Sequence, residues 1–294
     1  MQEISLKTED GAMLAATRFA PDGEARGTVL LLGAWGVRQR YYRRFATWLA
    51  GEGFQVLTFD YRGIGASLDR PIRSMRATTS DWGVRDAGAA FSWLSEQPGP
   101  HLAVGHSFGG QVLGLSDTAT QLDGIYMVAS QLAHHSMWTG PQRLGMWAIS
   151  HLALPLAPRL FGYLPAWMGV GEDIPAGAAI EWGRWLRSPG YLLDHVPRAA
   201  DRFSSFPSPI ELVGFTDDSY APPPGVRAMA DALPDSTNLR ILEPAELDQE
   251  SVGHFGFFRA GAQSMMWQDC LGIMDRWAPP SVTEPRAAPG GTLD

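Results

Sequence analysis

The chain has 294 residues, of which 45% are hydrophobic and 18% charged, and its formal net charge is −8 at pH 7. This composition excludes a disordered protein, and the length allows one large domain with a substantial core. The negative charge disfavours a nucleic-acid-binding protein, because such proteins need a basic face to contact phosphates.

Cysteine and histidine usage limits the chemistry further. The single cysteine, Cys270, excludes an internal disulfide, and its apolar neighbours predict a buried thiol on a helix. His134 and His135 are adjacent and have no partners at metal-ligand spacing, so we predict no metal site. No cofactor is implied by any motif, and a homodimer is left open.

Two stretches of the sequence bear on where in the cell the protein is expected to lie. The first four residues have neither the basic start nor the apolar run of a signal peptide, which favours a cytoplasmic protein. Residues 144–164 are strongly apolar but contain His151, Arg159 and two prolines, whereas a membrane-spanning helix needs about 20 residues nearly free of charge. We therefore expect no stable membrane insertion and interpret this stretch as lying over an apolar pocket.

Strand and helix patterns alternate through the first 130 residues. A strand pair is predicted around the turn at Asp10-Gly11, and a helix with Ser80 as its N-cap is predicted to run to Leu94. Continuous apolar runs predict buried strands at residues 28–32, 54–59, 102–104 and 125–128, with helices at residues 41–50, 80–94 and after Ser107. This order predicts an α/β fold with a mostly parallel sheet and helices on both faces.

The alternation stops after Ser130 and resumes near residue 206. Residues 131–205 are rich in Trp, Leu, Met and Pro without a clear strand pattern, and predict a helical cap inserted into one α/β domain. The core then comprises residues 1–130 and 206–278, with strands at 210–213 and 239–242 and helices at 226–233 and 257–277. Residues 279–294 are rich in Pro, Gly and Ala and are expected to be a disordered tail.

The most specific local motif is Gly105-His106-Ser107-Phe108-Gly109, between a predicted strand and a predicted helix. A serine on such a tight turn has a strained backbone and an outward-pointing hydroxyl, and the residues two before and two after it must be very small. A glycine-rich turn with an incidental serine is the simpler interpretation, but the strand and helix on either side favour Ser107 as a nucleophile.

A serine hydroxyl needs a positioned base. His254 lies between glycines, after the last predicted strand, so its ring can point back across the sheet edge. The base needs an acid at the end of the strand at 210–213, where Asp217 and Asp218 compete. Asp217 fits a count from Gly214, whereas Pro222 lies four positions after Asp218. In the enzymes that this sequence resembles, the acid commonly precedes a helix-starting proline by four positions, which favours Asp218; the other aspartate is then expected to cap the turn.

An oxyanion hole needs two backbone N–H groups aimed at the developing negative charge. One is predicted at Phe108, directly after the serine. The other is predicted in the loop after the strand at 28–32, at Ala34, with Trp35 as the second choice.

Taken together, these motifs resemble the α/β-hydrolase superfamily over about residues 4–277. Asp60 to Ser67 looks like its D-x-R-G-x-G-x-S turn, and the serine, acid and histidine follow in the family's order. The Gly36-Val37 and Tyr41-Tyr42 pairs and the sequence around His254 look like the bacterial serine-aminopeptidase-like or lysophospholipase-like hydrolases. In one departure, Leu32 stands where the family's usual histidine precedes the glycine of the oxyanion loop.

The resemblance and the motifs predict a serine hydrolase that cleaves an ester-type bond of a small apolar acyl substrate. The cap would line or cover the acyl pocket, although we expect most of its large apolar residues to form the cap's own core: Trp138, Met146, Trp147, Leu152, Leu154, Phe161, Trp167, Met168, Trp182 and Trp185. Three alternatives stay open: an acyltransferase, a carbon–carbon bond hydrolase or lyase with the same triad, and a ligand-binding receptor of the same fold.

Overall fold

A computed structural model describes residues 1–169 and 171–279. The predicted tail, apart from Pro279, lies outside the described residues.

Within this part of the chain, eight strands form one sheet in the order β1-β2-β4-β3-β5-β6-β9-β10. β2 pairs antiparallel with both of its neighbours, β1 and β4, and all the other pairings are parallel, so the sheet is mostly parallel, as the alternating pattern predicted. The strands are β1 Gln2–Lys7, β2 Met13–Phe19, β3 Thr28–Leu32, β4 Gln55–Phe59, β5 His101–His106, β6 Gly124–Val128, β9 Ile210–Phe215 and β10 Asn238–Leu242. A separate antiparallel pair consists of β7 Tyr163–Leu164 and β8 Ile174–Pro175.

Helices cover both faces of this sheet, and their positions explain why its central strands are apolar throughout. Every residue of β3, β4 and β6 is buried, as expected for parallel strands between two helical layers. The helices are α1 Arg43–Gly51, α2 Thr79–Asp81, α3 Ala87–Ser95, α4 Phe108–Gln111, α5 Gly140–Ala148, α6 Leu154–Phe161, α7 Ala176–Leu186, α8 Ala199–Ser204, α9 Pro223–Ala232 and α10 Gln268–Trp277.

Three local predictions need correction. Thr78, not Ser80, caps the helix after β4, because the Thr78 hydroxyl accepts the Asp81 N–H while the Asp81 carboxylate accepts the Thr78 N–H. The predicted closing helix is regular only from Gln268, since short 3-10 segments and a π-helical turn precede it. The segment predicted to lack strands contains the short β7–β8 pair, whose two-residue strands leave no readable alternation.

The four loops that carry the predicted site residues leave the sheet at the carboxyl ends of its strands. The oxyanion-loop candidates follow β3, Ser107 follows β5, the two aspartates follow β9 and His254 follows β10. These strands are parallel, so their carboxyl ends meet at this edge, where ligands bind in open α/β sheets. The segment that contains α5 to α8 joins β6 to β9 beside the same edge and contributes residues to the cavity described below.

Two further predictions concern the burial of Cys270 and membrane-spanning helices. Cys270 is fully buried on α10, where its thiol contacts the Met274 sulfur, as the apolar neighbours predicted. Among the described residues, no helix is long and apolar enough to cross a membrane.

Candidate active site

Ser107 lies in a strained turn between β5 and α4. Its φ and ψ are 53° and −113°, a conformation that residues with a side chain rarely adopt. The turn requires glycine on either side: a Cβ on Gly105 would lie 2.7 Å from the Gly110 nitrogen, and one on Gly109 would lie 2.0 Å from the Leu32 oxygen. The Ser107 N–H donates to the Val128 oxygen at 2.8 Å, which ties the turn to β6. The sequence therefore predicted this turn correctly.

His254 and Asp218 are in direct contact. The His254 Nδ1 lies 2.8 Å from the Asp218 Oδ2, and the Asp218 side chain is fully buried. The other carboxylate oxygen accepts the N–H groups of Tyr220 and Ala221 at 2.7 and 2.8 Å. These bonds hold the carboxylate in one orientation, and with it the histidine ring.

Asp217 makes different hydrogen bonds from its neighbour Asp218. Its carboxylate accepts the Ser251 hydroxyl and the N–H groups of Val252 and Gly253 at 2.8 to 3.0 Å, so it binds the backbone of the loop that carries His254. Partial burial alone would raise the pKa of Asp217, but the Gly253 N–H and the other donors outweigh it and lower the pKa. Asp218 holds the histidine side chain and Asp217 holds its loop.

Ser107 and His254 line one cavity without a hydrogen bond between them. Both contribute to its wall, and the Ser107 hydroxyl has no hydrogen-bond partner within the described residues. Such contacts are often longer in a ligand-free site than in the reacting complex. The structure thus brings all three predicted side chains to one place and joins two of them.

The N–H groups near Ser107 correct one prediction. The Ala34 N–H donates to the Tyr42 hydroxyl at 2.7 Å, so it is not available to an oxyanion. The Trp35 N–H, the second choice, has no acceptor within the described residues, nor has that of Phe108. Phe108 is the first residue of α4, where the helix offers its N–H no acceptor. Trp35 therefore replaces Ala34 as the candidate.

A buried chain of hydrogen bonds connects the oxyanion loop to the histidine loop. The Tyr42 hydroxyl accepts from Ala34 and lies 2.9 Å from the His106 Nδ1, while the His106 Nε2 lies 2.9 Å from the His254 carbonyl oxygen. Since a carbonyl oxygen only accepts, Nε2 carries the proton and Nδ1 accepts the Tyr42 hydroxyl. Burial, followed by the nearby His254, holds the pKa of His106 well below its usual value.

The sequence analysis missed the role of His106 and Tyr42 in joining these two loops. We expected His106 to pack inside the turn; it is buried there, but it also bridges two loops. Tyr42 belongs to the Tyr41-Tyr42 pair of the family resemblance, but nothing local indicates its role, because its partner Ala34 is eight residues away and His106 is 64 residues away.

The cavity beside Ser107 measures about 260 Å³ and is lined mostly by apolar side chains. Of the large apolar residues predicted to line or cover it, only Trp138, Met146 and Trp182 line it within the described residues. Leu154 and Trp185 are buried, as expected for the segment's own core. Four others, however, are exposed on the surface: Trp147, Leu152, Phe161 and Trp167.

Polar contacts connect the apolar wall to the turn at Ser107. The Trp182 indole N–H donates to the Tyr191 hydroxyl at 2.7 Å, and that hydroxyl donates to the Gln111 side chain on α4 at 3.3 Å. On the other side, the Trp138 indole N–H donates to the Ser219 oxygen, next to Asp218, at 2.7 Å. The wall is thus anchored to both loops of the site.

Among the described residues, no group of three or more His, Cys, Asp or Glu side chains is arranged to hold a metal ion.

Comparisons with known proteins give the same fold. Residues 29–263 match the model of the alpha/beta hydrolase family. An uncharacterised protein of Mycobacterium tuberculosis is 29% identical over 171 residues, which are 56% of this chain and 55% of that protein, so the match spans about half of the relative.

Two solved structures show how far the similarity extends. The esterase from Exiguobacterium antarcticum is 14% identical, with a TM-score of 0.63 over 93% of this chain and 100% of that one. The α/β hydrolase GrgF from Penicillium sp. is 18% identical, with a TM-score of 0.61 over 94% and 98%. At these identities the structures support the fold alone, whereas the family match covers most of the sequence. The chain therefore belongs to the alpha/beta hydrolase family.

Proposed function

We propose that this protein is a serine hydrolase that cleaves ester-type bonds through an acyl-enzyme on Ser107. The observation that carries the proposal is the Ser107 turn, which shares a cavity with a histidine whose ring is hydrogen bonded to a buried aspartate. This combination supplies a nucleophile, a base and an acid that orients the base.

In the proposed reaction, His254 takes the Ser107 proton and the Ser107 oxygen attacks the carbonyl carbon of the substrate. The N–H groups of Trp35 and Phe108 stabilise the oxyanion, and Asp218 stabilises the charged histidine. The bond to the leaving alcohol breaks, and His254 returns the proton to that alcohol. Water then attacks the acyl-enzyme with His254 as the base, which releases the carboxylic acid and restores Ser107.

The volume and the apolar lining of the cavity limit the size and polarity of the acyl group that it can hold. Its volume of about 260 Å³ lies near the lower end of small-molecule sites, and Trp138, Met146 and Trp182 provide an apolar wall. These features support a small or medium-length apolar acyl chain as the substrate.

Labelling with a fluorophosphonate probe, together with hydrolysis of p-nitrophenyl esters from C2 to C12, tests the proposal. We expect labelling and turnover in the wild type, and loss of labelling with a fall in kcat of about 10⁴-fold or more in Ser107→Ala. Ser92→Ala, at an exposed serine on α3, is the matched control and should keep both. A wild type that is neither labelled nor active would overturn the proposal, and labelling that persists in Ser107→Ala would overturn Ser107 as the nucleophile.

A further inference from the structure

A second cavity, of about 620 Å³, adjoins the candidate active site. The two cavities share Val37, Gly171 and Phe255 in their walls. The second cavity is therefore a direct neighbour of the cavity at Ser107. Its wall combines residues 36–44, the segment just before β8 and the loop that follows His254.

The side chains of the second cavity differ sharply in charge from those at Ser107. Five guanidinium groups line it, and we call it the arginine groove: Arg38, Arg40, Arg43, Arg44 and Arg259. Glu172 also lines the groove, and it forms an ion pair with Arg38. Within the described part of the chain, the other four arginines have no carboxylate within ion-pair distance.

The simplest interpretation, that these arginines are ordinary solvated surface residues, does not explain their placement. The protein carries a net charge of −8, yet five of its arginines line this one groove beside the candidate active site, and among the described residues only one of them is in an ion pair. Arg43 and Arg44 are the first two residues of α1 and directly follow a 3-10 turn at Gln39–Tyr42. Together the arginines raise the positive potential inside the groove.

We propose that the arginine groove binds a phosphate-type anion carried by the alcohol or thiol part of the substrate, while the acyl chain occupies the apolar cavity. This inference rests on the proposed function and names its substrate class. Guanidinium groups bind phosphate oxygens through paired, charge-assisted hydrogen bonds, and several arginines around one space suit an anion with three oxygens. The bond that breaks is still the acyl bond to oxygen or sulfur, and the phosphate leaves on the released alcohol or thiol.

Two matched substrate pairs test the groove and distinguish the sources of the phosphate. One pair is decanoylglycerol phosphate and decanoylglycerol; the other is the decanoyl thioester of phosphopantetheine and that of pantetheine. We expect wild type to have a kcat/KM about tenfold or more higher for the phosphorylated member of at least one pair. The pair that shows the preference identifies the source as a lipid headgroup or a soluble thioester.

The variants assign any such preference to the groove. In Arg43→Gln/Arg44→Gln, the ratio of kcat/KM for the phosphorylated and unphosphorylated members should fall about tenfold. In Arg227→Gln, which alters an exposed arginine on α9 outside both cavities, the ratio should stay at the wild-type value. Equal kcat/KM within both pairs, or a ratio that is the same in all three proteins, would overturn the groove as an anion site.

A binding measurement keeps this test separate from the proposed function. Ser107→Ala is titrated with octyl phosphate and tryptophan fluorescence is recorded, so no turnover is needed. We expect saturable binding that weakens about tenfold when Arg43→Gln/Arg44→Gln is added. Equal binding with and without the arginines would refute the groove even if the enzyme proves active. Arginine-dependent binding in a protein that hydrolyses no ester would instead refute the hydrolase and keep the anion site.

Discussion

The two walls of the cavity at Ser107 are built in different ways. On the side of the strands' carboxyl ends, His254 lines the cavity, and Asp218 and His106 lie buried behind it; all three are held by hydrogen bonds between loops that follow different strands. On the opposite wall, α5 has no buried residue, although Met146 from this helix lines the cavity. In the proposed reaction, the first side would therefore position the reacting groups, whereas the opposite wall would select the acyl group.

The largest effect should separate the two adjacent aspartates. Asp218→Asn removes the carboxylate that orients His254, and we expect kcat for the best p-nitrophenyl ester to fall about 10⁴-fold. Asp217→Asn weakens only the loop bonds and should lower kcat less than tenfold while reducing the free energy of unfolding by about 1–3 kcal/mol. Steady-state kinetics and urea unfolding measure both variants. A greater loss of kcat in Asp217→Asn would reverse the assignment of the acid.

The next effect concerns the pH dependence of stability. The folded protein keeps His106 neutral, whereas the unfolded chain takes up a proton near pH 6.5, so acid favours unfolding. The slope is at most about 1.4 kcal/mol per pH unit, or about 2 kcal/mol between pH 7.5 and pH 5. Urea unfolding at both pH values should show this loss in wild type and not in His106→Gln. Equal losses in the two proteins would show that His106 does not titrate in this way.

Tyr42→Phe tests whether the bridge between the two loops matters for the reaction. The variant keeps the ring but removes the hydroxyl that binds Ala34 and His106. We expect kcat to fall about tenfold with little change in KM, because the loss of two hydrogen bonds, each of about 1 kcal/mol, loosens the loop that carries the Trp35 N–H. A rise in KM at constant kcat would instead place Tyr42 in substrate binding.

The smallest effect should come from the opposite wall. Met146→Ala enlarges the cavity, and we expect the relative kcat/KM for longer over shorter p-nitrophenyl esters to rise about 3- to 10-fold. Trp147→Ala, at the neighbouring exposed position, should leave the chain-length profile unchanged. If both variants shift the profile equally, α5 acts through its general fold and does not select the acyl group.

The sequence by itself determined the order of strands and helices, the turn at Ser107 and the positions of His254 and the acid loop. These features depend on local requirements: buried apolar strands, glycines where a Cβ would clash, and a residue order that only one fold family uses. Even the choice of Asp218 over Asp217 came from the spacing to Pro222, and the structure places Asp218 against His254.

Only the tertiary structure decided which N–H groups near Ser107 lack an acceptor and which residues line the cavity. Ala34 was excluded because Tyr42, from the next helical region, accepts its N–H, and the pairing of His106 with the His254 carbonyl joins residues 148 positions apart. We expected most of the large apolar residues between β6 and β9 to form a core of their own, but Trp147, Leu152, Phe161 and Trp167 are exposed. Such contacts depend on how distant segments pack. The residue type alone does not show whether an apolar side chain lines a cavity, lies in the core or is exposed on the surface.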